Sequence, residues 1–272
     1  MSIPLAAEPI AHIAGLTVTN SLINAWIAAI ILIIAAAAIR FGARQRPGKF
    51  QSAVEMLFEF FLKTFDSVTH DRVRTRKFFP VVTTLFLFIL ISNWLGQLPG
   101  TGTFGIWEMV HGELELVPLL RPATSDLNLT LGLGIFAVLL THVMGIGALG
   151  FFRHAGKFIQ IRKLFTSFNK GPIAMLTAII DFGAGLIEAV GEFARAISLS
   201  LRLFGNVFAG EVLITVMLGL AAFVIPLPFQ ALELLVGVIQ ATVFSVLTLV
   251  FLTLATEPPH GEHAEEHATA EH

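Results

Sequence analysis

Residues 172–224 read PIAMLTAIIDFGAGLIEAVGEFARAISLSLRLFGNVFAGEVLITVMLGLAAFV, an apolar run with no proline after the first position. Six charges interrupt it: Asp181, Glu188, Glu192, Arg195, Arg202 and Glu211. As one helix, the 52 residues after Pro172 would extend about 78 Å, more than twice the roughly 30 Å hydrocarbon core of a bilayer. Such a helix must tilt steeply or begin outside the membrane. Pro226 and Pro228 then mark a turn, and residues 229–255 are long enough to return, with Glu233 and Gln240 standing within an otherwise apolar sequence.

The rest of the chain agrees with a membrane reading. Of 272 residues, 55% are hydrophobic and only 13% charged, against about 25% charged in an ordinary soluble domain. Between Glu8 and Arg40 no formal charge occurs for 31 residues, which predicts a first span over 21–39. A cleaved signal peptide is the competing reading, but no Lys or Arg precedes the run and it is long for a signal core. Further charge-free windows predict spans over 78–98 and 127–152. With 173–224 and 229–255, the expectation is an all-α integral membrane fold of five embedded helices, filling residues 1–256.

Ahead of the second span, Val54, Leu57, Phe58, Phe61, Leu62, Phe65 and Val68 recur at steps of three and four. That spacing predicts an amphipathic helix over 50–69, lying on the membrane or against a partner. The Glu- and His-rich segment 257–272 reads as a disordered polar tail. Cysteine is absent, which excludes disulfides, thiolate metal sites and cysteine nucleophiles. With 17 Lys+Arg against 19 Asp+Glu, there is no global basic surface for nucleic acid.

Basic residues orient the spans. Nine Lys/Arg fall in 40–77 and five in 153–170, whereas the loop 99–126 holds Arg121 alone. By the positive-inside rule the first two groups are cytoplasmic, so the N-terminus lies outside and the C-terminus inside.

An arginine in the middle of a membrane helix costs about 2.5–3.5 kcal/mol on insertion scales and is retained for a purpose. Arg202, flanked by Leu199, Leu201, Leu203 and Phe204, lies too far from either helix end to snorkel. A structural ion pair is the bland alternative. Asp181, Glu188, Arg195 and Arg202 are spaced by seven, each about 20° from the last, so they share a face. Glu211, nine residues beyond Arg202, is turned by about 180°. In an antiparallel hairpin facing residues have a constant index sum. Arg202 with Gln240 gives 442, and Glu211 with Glu233 gives 444, so the two pairings are compatible. A lone cation on one face, with carboxylates on others, suits an ion path reached by water from each side without a continuous pore.

The segment Ser198-Leu-Ser-Leu-Arg202-Leu-Phe-Gly-Asn206-Val-Phe-Ala-Gly-Glu211 resembles the signature of the F-type ATP synthase subunit a family. The same family is echoed by 92–100 (SNWLGQLPG), by 122–130 (PATSDLNLT) and by Gln240. The resemblance implies that Arg202 is the essential arginine, with Asn206, Glu211 and Glu233 in the proton path and Glu188 and Arg195 at matching acidic and basic positions. Some members carry histidine where Glu233 stands. It also implies a stator subunit of the Fo sector in a bacterial inner membrane. The last two helices would form a tilted hairpin against a ring of c subunits, with the b-subunit stalk and the remaining synthase subunits as partners. No cofactor, metal or enzymatic site of the chain's own is expected.

The first rival is an ion-coupled secondary transporter, which also uses midplane charges but typically shows an internal repeat, and none is visible. The second is a scaffold whose polar stripe is packing alone. Haem or quinone binding is disfavoured, since His142 is the only histidine well inside a span. The Gly42–Lys49 segment has neither the spacing nor the Ser/Thr of a phosphate loop, so no ATP site is expected. His111 and His154 read as loop residues. The tail histidines 260, 263, 267 and 272 read as polar tail before metal ligands. Gly191, Gly205 and Gly210 read as allowing close helix packing.

Overall fold

The computed structural model describes residues 7–13, 15–42, 48–98, 101, 105–110, 113–158, 172–220 and 224–257. The His-rich tail beyond 257, His111 and most of Gly42–Lys49 lie outside them. An antiparallel hairpin, β1 (Pro9–Ile13) and β2 (Leu16–Thr19), leads into α1 (Asn20–Gly42). Helices α2 (Lys49–Thr69) and α3 (Arg72–Gln97) follow, then a second hairpin, β3 (Gly105–Val110) and β4 (Glu113–Pro118). A short 3-10 turn at Ala123–Ser125 precedes α4 (Leu127–Leu149) and α5 (Phe151–Phe158). The chain closes with α6 (Pro172–Leu220) and α7 (Pro226–Thr256). Among the described residues five helices, α1, α3, α4, α6 and α7, are long and apolar enough to cross a membrane. This is an all-α membrane architecture carrying two small hairpins outside its helices.

Local chemistry sets several boundaries. Asp71 caps α3 by accepting from the backbone N–H of Val73 at 2.8 Å, so the helix begins before the charge-free window does. Asp126 caps α4 through Asn128 N–H at 2.9 Å. The expected span to residue 152 stops at Leu149, because Gly150 takes φ +84°, a conformation other residues rarely adopt, and the chain restarts as α5. The segment after Pro172 is one helix of 49 residues, about 74 Å long.

Lipid tails are as apolar as leucine, so helices in a membrane associate through close packing more than through exclusion of water. The core follows that rule. Phe65, Val82, Ile89, Leu203, Val207, Leu249 and Leu252 are buried where α2, α3, α4, α6 and α7 meet. Small residues let backbones approach: a Cβ on Gly134 would strike Ser200 and the Ala196 carbonyl of α6, and one on Gly210 would strike the Glu233 carboxylate. Gly191 and Gly205, expected to serve the same purpose, have nothing within 4 Å of a would-be Cβ. Within this chain, close packing among these three is seen at Gly210.

Helix α2 packs its aromatic face on α3. Phe61 lies 4.8 Å from Phe86 between ring centroids, and Phe58 and Phe65 each lie 5.8 Å from Phe79. Its opposite face leaves Met56, Leu57 and Phe60 exposed. The loop reading of His154 is also corrected: it is buried in α5, with its Nε2 3.1 Å from His142 Nδ1 on α4.

Candidate functional site

Leu199, Leu203 and Val207 recur every four residues along α6 and turn one face into the core, where they are 3%, 1% and 0% exposed. The intervening Leu201, Arg202, Gly205, Asn206 and Ala209 therefore face away from the other helices, and all are exposed. Arg202 and Asn206 make no ion pair or hydrogen bond among the described residues. A guanidinium left open in the middle of a membrane helix, next to the exposed Leu201, is equipped to meet a charge brought by another molecule.

The inward face of the same helix builds a different site. Glu211 accepts from Nε of Arg121, which lies 2.9 Å and 3.1 Å from its two carboxylate oxygens. Glu233 on α7 is 5% exposed and accepts from Gln97 Nε2 at 3.1 Å. The carbonyl of Gln97 in turn accepts from Gln230 Nε2 at 2.8 Å. Glu233 reaches this network because Gly210 has no side chain to fill the space its carboxylate occupies. Gly210 and Glu233 sum to 443, midway between the two expected pairings, and the glutamates stand one residue apart across the hairpin.

Both echoing motifs converge here. Asn93 and Thr124 are hydrogen-bonded to each other, Trp94 Nε1 donates to the Leu234 carbonyl at 3.1 Å, and Gly96 leaves room for Pro122. Residues 93–97 of the first segment and 122–124 of the second thus pack together beside Glu233 and its hydrogen-bond partners.

The other candidates are dispersed. Arg195 pairs with Glu192 one turn earlier and lies 4.9 Å above the Phe251 ring, so it is engaged within the chain. Glu188 is exposed, and Asp181 is half-buried. Gln240 is half-buried on α7, with no hydrogen bond to Arg202 among the described residues. Arg121, Gln97, Gln230 and Asn24 belong to the site but were not picked out from sequence. The usable signal was Arg121's position as a lone cation beside the 122–130 motif.

Chemically, the arrangement separates two tasks. An open cation faces outward, and the half-buried carboxylate of Glu211, with the buried Glu233 of α7 beside it, lies half a helical turn round and about 14 Å along α6. No metal cluster of three or more His, Asp or Glu side chains occurs among the described residues.

The family model for the ATP synthase A chain matches residues 22–253. ATP synthase subunit a of Geotalea daltonii is 31% identical over 240 residues, covering 86% of each chain. That of Cereibacter sphaeroides is 34% identical over 255 residues, covering 89% of this chain and 83% of its own. A third, from Mycobacterium ulcerans, is 36% identical over 187 residues, 68% of this chain and 65% of its own. With a match that spans nearly all of the five apolar helices and both polar sites, this chain belongs to the ATP synthase subunit a family, the multi-pass a subunit of the synthase's membrane sector.

Proposed function

We propose that this chain is the stator surface through which protons cross the Fo sector, using two offset half-channels and coupling their flow to rotation of a c-ring. The observation that carries the reading is the opposite facing of the ionisable groups on α6: Arg202 open, Glu211 turned inward to Arg121 and close to Glu233. A c-subunit carboxylate arriving protonated would meet Arg202, release its proton to one half-channel and regain one from the other after the ring turns. Opposite charges at about 4 Å are worth roughly 4 kcal/mol at an effective dielectric of 20. One charge crossing about 150 mV gains roughly 3.5 kcal/mol. The attraction and the driving force are thus matched, so Arg202 stabilises the brief carboxylate without trapping the ring, and its charge repels protons that would cross directly.

Glu211 and Glu233, with Asn206 and Gln240, line the proton path in this account, and Glu188 and Arg195 stand toward the cytoplasmic end of α6. The b-subunit stalk holds the chain still, and ATP chemistry takes place on other subunits. Orientation in the bacterial inner membrane follows the basic loops, N-terminus outside and C-terminus in the cytoplasm. Arg74 at the start of α3 lies 3.7 Å from Glu257 at the end of α7, which supports placing those two ends on one side.

The chain contains no cysteine, so single reporters are unique within it. In the purified complex, Asn206→Cys should cross-link to a small two-helix proteolipid, and Leu203→Cys, buried in the core, should not. Ala264→Cys should be labelled from the cytoplasmic side only. Absence of the proteolipid, or labelling of Ala264→Cys from outside, would contradict the assignment.

A further inference from the structure

The residue that ties the buried site together lies outside the hairpin carrying the two glutamates. Arg121 is 3% exposed and belongs to the irregular segment between β4 and α4, where no helical ladder fixes the backbone. Its carbonyl must find its own donor. That donor is Asn24, fully buried on α1, whose Nδ2 gives one hydrogen bond to the Arg121 carbonyl at 2.7 Å and another to the Ser92 carbonyl of α3 at 3.1 Å. Neighbouring contacts repeat the pattern. Ser21 Oγ donates to Asp126 at 2.8 Å and Asn20 Nδ2 to the Pro118 carbonyl at 3.3 Å, so α1 grips the segment on both sides of Arg121. The buried residues of α1, from Asn20 to Ala28, are those at this end of the helix.

We propose that Arg121 is a positioning residue for proton transfer at Glu211, and that Asn24, by clamping the Arg121 carbonyl between α1 and α3, is the residue that aims it. The inference rests on the proton path through Glu211 and Glu233 proposed above. Arginine has a long side chain with many rotamers, so the guanidinium stays on both oxygens of Glu211 only while its backbone is held. A carboxylate held on both oxygens keeps one orientation toward Glu233, and proton hand-over requires donor and acceptor to stay within hydrogen-bond reach, directly or through one water. Asn24 makes no hydrogen bond to Glu211; its influence runs through Arg121.

The test is passive proton flux per assembled Fo complex in membrane vesicles, for the parent, Arg121→Gln, Arg121→Lys, Asn24→Ala, Glu211→Gln and the pair Asn24→Ala/Glu211→Gln. Losing a charged partner predicts a fall of about ten-fold or more for Arg121→Gln, with partial recovery in Arg121→Lys. Asn24→Ala removes both hydrogen bonds of the amide, and loss of the neutral one to the Arg121 carbonyl predicts a fall of about three- to ten-fold. Once Glu211→Gln has removed the group being aimed, adding Asn24→Ala should cost nothing further, a coupling that a general packing role does not produce. The inference is overturned if Asn24→Ala lowers flux by the same factor in both backgrounds, or if Arg121→Gln conducts like the parent. Should Arg121→Gln not assemble, the Asn24 comparison decides. Parent-level flux in Glu211→Gln would instead remove the proposed proton path, and this inference with it.

Discussion

The half-buried Glu211 and the buried Glu233 beside it would repel if both were bare, and the structure gives each a different partner: a guanidinium for Glu211, an amide for Glu233. In the proposed path this division would let either group relay a proton when the other is lost. Glu211→Gln and Glu233→Gln should each slow passive proton flux by about ten-fold, less than loss of Arg202, because water or the remaining carboxylate still bridges the gap. The double substitution should lose more than the product of the single losses. A double loss no larger than that product would mean that the glutamates act independently. The nearness of Glu233 to Glu211 was legible in the sequence, since an antiparallel hairpin makes facing positions sum to a constant. The Arg121–Glu211 pair was not, because 90 residues separate its members and no periodicity relates an irregular segment to a helix. Asn24 was hidden in the same way: one amide in an apolar helix says nothing of which distant carbonyl it serves.

At the scale of elements, the close contact of α6 with α7 depends on one missing side chain. Gly210→Ala would place a methyl group where the Glu233 carboxylate lies, and buried groups of this kind have little room to move. We expect it to destabilise the hairpin by about 1–3 kcal/mol, the range for overpacking a filled site, and to lower proton flux with it. Gly183→Ala, on the same helix with nothing within 4 Å, is the control and should be close to neutral. Thermal unfolding of the purified complex compares the two; equal stability would contradict the packing assigned to Gly210. The helical class of the chain was legible because apolar windows free of charge are a strong signal. The hairpins were not singled out, although residues 113–116 alternate polar and apolar, because strands of four to six residues carry too few repeats to stand out between longer helices. The division between α4 and α5 turns on the positive φ of Gly150, which an apolar sequence rich in glycine does not announce.

The molecule as a whole distributes its charges unevenly. Basic residues gather in the segments around α2 and α5, while the membrane-spanning surface is apolar apart from a few side chains, and Arg202, well inside α6, makes no ion pair or hydrogen bond among the described residues. The bland reading of Arg202 as half of an internal ion pair therefore finds no support in its surroundings, and the proposed function gives the charge a rotor carboxylate to meet. ATP-driven proton pumping by the assembled complex carrying Arg202→Ala tests this most directly, with assembly verified by recovery of the a subunit with the proteolipid ring. The account predicts an intact complex in which pumping is abolished, and severe impairment in Arg202→Lys, whose ammonium lacks the planar fork and sheds its proton when desolvated. Normal pumping by the assembled Arg202→Ala complex would contradict it.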